Sequence, residues 1–437
     1  MNTSHKKPIP MLLLGWEKEA KNKGIGFKPN NSSNASSPQK VVANTEIMHQ
    51  MTFASTGSGK GRCVIIPNLI TYPGPVIVID PKGENYLVTA RARREMGQQV
   101  VCIDPFNCVG GKDTLNPLDL IHLPNADVES DAQMLASMLA VGNGFSKDPF
   151  WDNCATGLIS GLIAYTLTCD KPVDRNFNTI RQSITADDAV YNLAVKMDTN
   201  GKKMPPMAYE EFCAFMQMPE RETRPSVLAT AKSYLNPFMS DQVIKTLAQS
   251  SFRLEDVREG KPLTIYLVIP PDKLQSHAGL LRLWVGVLLE AIIGRTEIPP
   301  LKTLFILDEV AQLGHFKLLE TIITLCRGYG VACWSFWQDI HQLKSNFPSW
   351  PALLNNCHTW QFFGITKYQV AKEVAEVVGL PASALMGMPS DEQIVVSDGS
   401  ITPLFCHKMD YLKDKVFKGY FDDNPFYKNH PPHRTTP

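Results

Sequence analysis

The eight residues from Ala54 to Gly61 read ASTGSGKG. Glycines at this density let backbone N–H groups turn inward around an anion, and a lysine directly after them can reach the terminal phosphates of a nucleotide. Ser55, Thr56, Gly57, Ser58, Gly59, Lys60 and Gly61 are therefore the candidate phosphate cradle. Two positions depart from the usual pattern: Ala54 stands where a first glycine is expected, and Gly61 where a hydroxyl would ligate magnesium. The competing reading is a plain Gly-Ser turn. A second stretch, TLFILDEV, is an apolar strand pattern that closes on Asp308 and Glu309. An acid in that position holds magnesium, and the following glutamate polarises an attacking water. Loop and strand together imply ATP with Mg2+, Lys60 and Glu309 in catalysis and Asp308 at the metal.

Two further residues fit hydrolysis. Gln338 ends WSFWQ, a strand expected beside the one ending in Asp308, where an amide would sense the γ-phosphate. Arg327, in CRGYG, precedes that strand; at a subunit edge it would reach a neighbour's nucleotide. The plainer alternatives are a strand-end hydrogen bond and a surface ion pair. DPKGEN follows another buried-strand pattern, VIVI, expected next to the loop. There Asp80 and Glu84 would support Lys60 or the metal and Lys82 would face substrate, with turn chemistry as the equal alternative.

These residues need a sheet to position them. PVIVID and QVVCID are continuous β-branched runs, as in strands buried on both faces of a parallel sheet, and NYLVTARARREMG between them reads as a helix. Strand patterns return at PLTIYLVIP, KTLFILDEV, VACWSFW and TWQFFG, whereas the stretch from about 120 to 250 has helical spacing only. The expected organisation is a flexible tail over 1–44 with order beginning near Thr45, a discontinuous nucleotide-binding domain over 45–119 and 251–411, an all-α domain over 120–250, and a polar tail over 412–437. The fold class is α/β with a predominantly parallel sheet.

Composition excludes little. With 44% hydrophobic and 20% charged residues in 437, the chain reads as globular; 43 basic and 43 acidic residues cancel, so no bulk basic charge points to nucleic acid. The dense local cluster ARARRE reads as a solvated helix face. Ten cysteines without a CxxC pair read as reduced core residues. No apolar run reaches the ~20 residues a membrane span needs, so a cytoplasmic location is expected.

The chain resembles the type IV secretion coupling proteins, the TraG/TraD-like ATPases of conjugation systems. The resemblance rests on TGSGKGRCVIIPNLITYPGPVIVIDPKGEN, DPFWDNCATGLISGLIAY, RPSVLATAKSYLNPF, DVREGKPLTIYLVIPPDKL, LDEVAQLGHFKLLETIITLCRGYGVACWSFWQDIHQL and NNCHTWQFFG, in that order, and spans roughly Ile47 to Gly419. It implies a RecA-like P-loop NTPase domain interrupted by an all-α domain, assembled as a homo-hexameric ring related to FtsK-type DNA pumps. It also implies partners: single- or double-stranded DNA, relaxase or effector proteins, and components of the secretion channel. Lys60 matches the family's loop lysine, Asp308 and Glu309 its acidic pair, Gln338 its strand-end glutamine and Arg327 the arginine that acts across subunits. Glycine after the lysine, as at Gly61, is common in the family. Family members usually begin with a membrane-spanning region, which this sequence does not show; peripheral association with the inner membrane through a partner is the corresponding expectation. The expected activity is ATP-driven recruitment and translocation of DNA or protein. The alternatives are a soluble nucleotide-gated recruitment or assembly module that pumps nothing, and a small-molecule phosphotransferase.

Overall fold

The computed structural model describes residues 10–18, 40–140, 149–313, 317–400 and 402–427. Among these, eleven strands form one sheet: β1 (Leu12–Glu17), β2 (Val41–Asn44), β3 (Gln50–Ala54), β4 (Val76–Ile79), β5 (Gln99–Ile103), β6 (Leu263–Leu267), β7 (Thr303–Leu307), β8 (Val331–Trp337), β9 (Thr359–Phe363), β10 (Glu392–Ser397) and β11 (Leu404–His407). Their spatial order is β2-β1-β11-β10-β9-β3-β8-β7-β4-β6-β5. From β9 to β5 every pairing is parallel; β10, β11, β1 and β2 extend the sheet antiparallel.

The apolar runs explain the parallel part. β3, β4, β6, β7 and β8 are buried at every residue, because helices cover both faces. One covering element, the helix Ala278–Ile293, is apolar almost all round and lies between the sheet and the inserted helices. A Cβ on its Gly286 would sit 2.2 Å from Met138 Sδ, so glycine is what lets helix Val128–Leu139 approach. Between β5 and β6 the described residues contain helices and no strand. Among the described residues no helix is long and apolar enough to cross a membrane.

Three expectations are corrected. Leu12–Glu17 and Val41–Asn44 are sheet strands, so order does not begin at Thr45; the rest of 1–44, except Pro10, Met11, Lys18 and Lys40, lies outside the described residues. β1 pairs with β11, nearly the whole chain away, and a Cβ on Gly15 would lie 2.5 Å from His407 O. Nothing local marks so distant a pairing. Residues up to 427 are also packed rather than a loose tail: Met409, Tyr411, Phe417 and Phe421 are buried against Val88 and Ala92 of the helix Glu84–Glu95. Finally, β4 is not next to the loop-bearing β3; β8 and β7 intervene, and β4 flanks β7.

Two buried cations hold the opposite end of the sheet without any acid. Arg93 donates to the carbonyls of Leu69, Tyr72 and Gly74 and to Thr264 Oγ1. Arg295 donates to the carbonyls of Val257, Arg258, Tyr329 and Gly330 and to Thr303 Oγ1. His49 is buried as well, and its Nδ1 accepts the Cys333 N–H at 3.0 Å. Burial pushes its pKa down from 6.5 to about 4, with Lys302 and Arg327 adding to the effect. A folded pKa below the unfolded one means the unfolded chain binds the extra proton, so stability is lost as pH falls from 6.5 towards 4. Replacement by asparagine keeps an acceptor without the titration. Across pH 4–6.5, chemical denaturation of His49→Asn should show a shallower loss of stability than wild type; parallel slopes would contradict the assignment.

Candidate nucleotide site

Register brings the chemistry together. Phe53 pairs with Trp337 and Leu307 with Ser335, so the carboxyl ends of β3, β8 and β7 lie level at one edge of the sheet. From that edge emerge the loop beginning at Ser55, the side chain of Gln338, and the pair Asp308–Glu309. Ile79 pairs with Leu307, which sets Asp80 beside Asp308. A cavity of about 350 Å³ opens there, and its walls include Thr56, Gly57, Gly59, Lys60, Gly61, Asp80, Asp308, Glu309 and Gln338.

The loop turns on two glycines in left-handed conformations, Gly57 (φ 79°) and Gly59 (φ 101°), after which Lys60 (φ −47°) starts a helix. The first turn of that helix is wide: Ile66 N–H donates to Gly61 O. The loop is held from below and from one side. Ser58 N–H and Ser58 Oγ both donate to Ser55 O, while Ser55 Oγ donates to Gly364 O at 2.7 Å. Gly364 directly follows β9, which lies next to β3 and pairs Phe363 with Ala54.

Lys60 Nζ donates to Ala54 O at 3.3 Å and lies 3.6 Å from Glu309 Oε1. Glu309 adopts φ 56°, a left-handed conformation that costs a non-glycine residue roughly 1–3 kcal/mol and turns up at functional sites. Its backbone N–H donates to Asp308 Oδ1 at 3.1 Å, and its Oε2 accepts from Gln338 Nε2 at 3.3 Å. Lysine, glutamate and glutamine are thus joined through one carboxylate at the cavity floor.

The acids behind this carboxylate are short of counter-charge. Burial pushes Asp308 up to about 6 despite the pull of Lys60, with Glu309 adding to the rise; its carboxyl is ringed by protein yet still reaches the cavity. Burial pushes Asp80 up to about 7, against the backbone N–H of Tyr86 and the Asn85 amide, with Asp308 and Glu84 raising it further. Asn85 Oδ1 is buried without a hydrogen-bond partner. Magnesium is a hard cation that takes oxygen ligands and keeps several waters; neighbouring carboxyls that resist ionisation, with an orphan amide oxygen, are a donor set that suits it. No group of three or more His, Cys, Asp or Glu side chains among the described residues is poised to hold a metal alone, so phosphate oxygens and water would complete the shell. A Cβ at Gly61 would meet only the Glu84 carboxylate, at 3.9 Å, so space remains where a hydroxyl usually stands.

Ser55, Thr56, Gly57, Ser58, Gly59, Lys60, Gly61, Asp308, Glu309 and Gln338 therefore converge, and Asp80 and Glu84 join them. Arg327 does not. It is exposed in the turn Cys326–Tyr329 at the amino end of β8, whose seven residues, roughly 20 Å, separate it from Gln338. Sequence reading missed Gly364, Lys408 and Arg62. Lys408 Nζ donates to Ser58 O at 2.9 Å, and Arg62 makes two bonds of 2.6 Å to Asp410. A glycine closing TWQFFG was the one visible signal; the other contacts come from a segment far along the chain.

Residues 12–382 match the sequence profile of the type IV secretory system conjugative DNA transfer family. The chain belongs to that family. The conjugal transfer protein TraG of Escherichia coli is 28% identical over 351 residues, covering 76% of this chain and 55% of the relative. The type IV secretion system-coupling protein VirD4 of Bartonella quintana is 25% identical over 425 residues, covering 86% and 65%. The chain thus spans between about half and two thirds of the length of these coupling proteins. Among solved structures, the plasmid coupling protein TrwB in complex with ADP and Mg2+ superposes with a TM-score of 0.66 at 12% identity, covering 83% of this chain and 85% of that one. This likeness establishes the RecA-like P-loop NTPase fold.

Gly364 tests the loop without touching a charge. It has φ +69°, and a Cβ there would lie 2.5 Å from Ser58 Cβ and 2.7 Å from Ser55 Oγ. Moving the loop to relieve that clash misaligns its amides. Gly364→Ala should weaken ATP binding by about tenfold or more, on the order of 1.4 kcal/mol, in a chain whose melting cooperativity is kept. Titration calorimetry that finds wild-type affinity would refute this role.

Proposed function

We propose that this chain is the ATP-hydrolysing motor of a type IV coupling protein, which recruits DNA carrying its relaxase, or effector proteins, and passes them to a secretion channel. The observation that carries the reading is the chain of contacts from Lys60 through Glu309 to Gln338, beside Asp308. In this reading the loop amides and Lys60 bind the phosphates, and Glu309 orients the attacking water and takes its proton. Gln338 holds Glu309 and reports whether the terminal phosphate is present. Asp308, supported by Asp80, would hold magnesium, which neutralises charge developing on the phosphates.

Arg327 belongs to a neighbour's site in this reading. It is exposed, lies at the far end of β8 from its own cavity, and sits in a turn whose carbonyls are gripped by the buried Arg295. Such a residue is useless to its own nucleotide and well placed for a subunit packed head to tail in a homo-hexamer. Association with the inner membrane would run through a partner.

The test is turnover with and without single- and double-stranded DNA. Wild type should hydrolyse ATP faster with DNA. Lys60→Ala should lose nucleotide binding, whereas Glu309→Gln should bind ATP and turn over about 10²–10⁴-fold more slowly. Arg327→Ala should also be inactive, yet mixing Arg327→Ala with Lys60→Ala chains should restore part of the activity, because some interfaces then pair an intact loop with an intact arginine. No recovery on mixing would rule out action across subunits. Tight ATP binding by wild type with no turnover under any condition would replace the motor with a nucleotide-gated recruitment module.

A further inference from the structure

One wall of the nucleotide cavity comes from the end of the described chain. Tyr427 lines it and is the single aromatic side chain among the described residues that do so. The ring is not there by accident of a loose end. Tyr427 N–H donates to Asn424 O at 3.0 Å and Phe426 N–H to Asn424 Oδ1 at 2.9 Å. Asn424, itself buried, donates to Glu84 Oε1 at 2.7 Å and to Tyr411 Oη at 2.9 Å. The Arg62 guanidinium lies 5.5 Å from the centre of the Tyr427 ring and is fixed by its two bonds to Asp410. A planar cation against an aromatic face is attractive, and both groups offer flat π surfaces.

Direction decides what meets this wall. Lys60 reaches back to Ala54 O and Glu309, which marks the terminal-phosphate end of the cavity. Arg62, two residues further on in the first helical turn, leaves the opposite side of that turn towards the C-terminal segment. A nucleotide with its terminal phosphate at Lys60 runs along the loop and away from Glu309, towards Arg62 and Tyr427.

We propose that Tyr427, backed by Arg62, is the platform on which the base of the bound nucleotide stacks. The inference rests on the nucleotide-binding reading of the same site and adds how the site tells a nucleoside triphosphate from a bare polyphosphate. Stacking reads a ring face and not its edge, so the platform accepts either purine.

Calorimetric titration of the full chain with magnesium and ATP, GTP or inorganic tripolyphosphate tests this. Wild type is expected to bind ATP and GTP alike, and both roughly tenfold or more tighter than tripolyphosphate. Tyr427→Ala should lose that margin while binding tripolyphosphate as wild type does, and Tyr427→Phe should keep it. Unchanged ATP affinity in Tyr427→Ala overturns the proposal. So does an equal loss for ATP and tripolyphosphate, which would make the segment a brace for the loop alone. Wild type that binds ATP and tripolyphosphate equally sinks the platform and leaves the phosphate cradle standing; wild type that binds neither removes the nucleotide reading itself.

Discussion

The buried carboxyl of Asp80 stands beside the half-buried Asp308 at one edge of the sheet, two acids whose charge the fold must balance. Parallel register fixes Asp80 next to Asp308, and burial holds both above the ordinary carboxyl range. Such a pair is costly to ionise in a protein interior unless a cation is close. Lys60, on the loop that follows β3, is the cation the fold supplies, and it already lies 3.6 Å from Glu309. The order β3-β8-β7-β4 sets these groups at one edge of the sheet. With neighbouring strands ~4.8 Å apart, the loop and the acids face each other across one intervening strand, which carries Gln338 at its end.

The loop itself is a shared structure. Gly364, just after β9, holds Ser55, Lys408 holds Ser58, and Asp410 holds Arg62 on the helix that follows. Asn424 then grips Glu84, on the helix beyond β4. A change in the loop's shape is therefore felt by the antiparallel edge of the sheet and by the C-terminal segment at once. In the proposed motor, these packed elements would carry a change at the phosphates outwards.

Much of this was legible in the residues. β-branched runs buried on both faces announced a parallel sheet, and glycines before a lysine, with acids closing a second strand, announced the cavity. Gln338 fell where its strand implied, beside the one ending in Asp308. What stayed hidden depends on distant pairings. LLLGW is a strand between β2 and β11, and the close approach of Gly15 to His407 shows only once β11 is in position. Met409, Tyr411, Phe417 and Phe421 have no helical or strand period, so their burial against the helix Glu84–Glu95 leaves no mark in local pattern. Asp80 was placed beside the loop for the wrong reason: its strand flanks the acids, and register alone brings it to the cavity.

In the proposed function the loop amides, Lys60 and the Asp308–Glu309 pair act on one triphosphate. The most direct measurement is an experimental structure with a non-hydrolysable ATP analogue and magnesium. The terminal phosphate is expected between Lys60 Nζ and Glu309, with the metal on the Asp308 side. An analogue bound elsewhere, or one whose phosphates leave Lys60 still paired to Glu309, would contradict it.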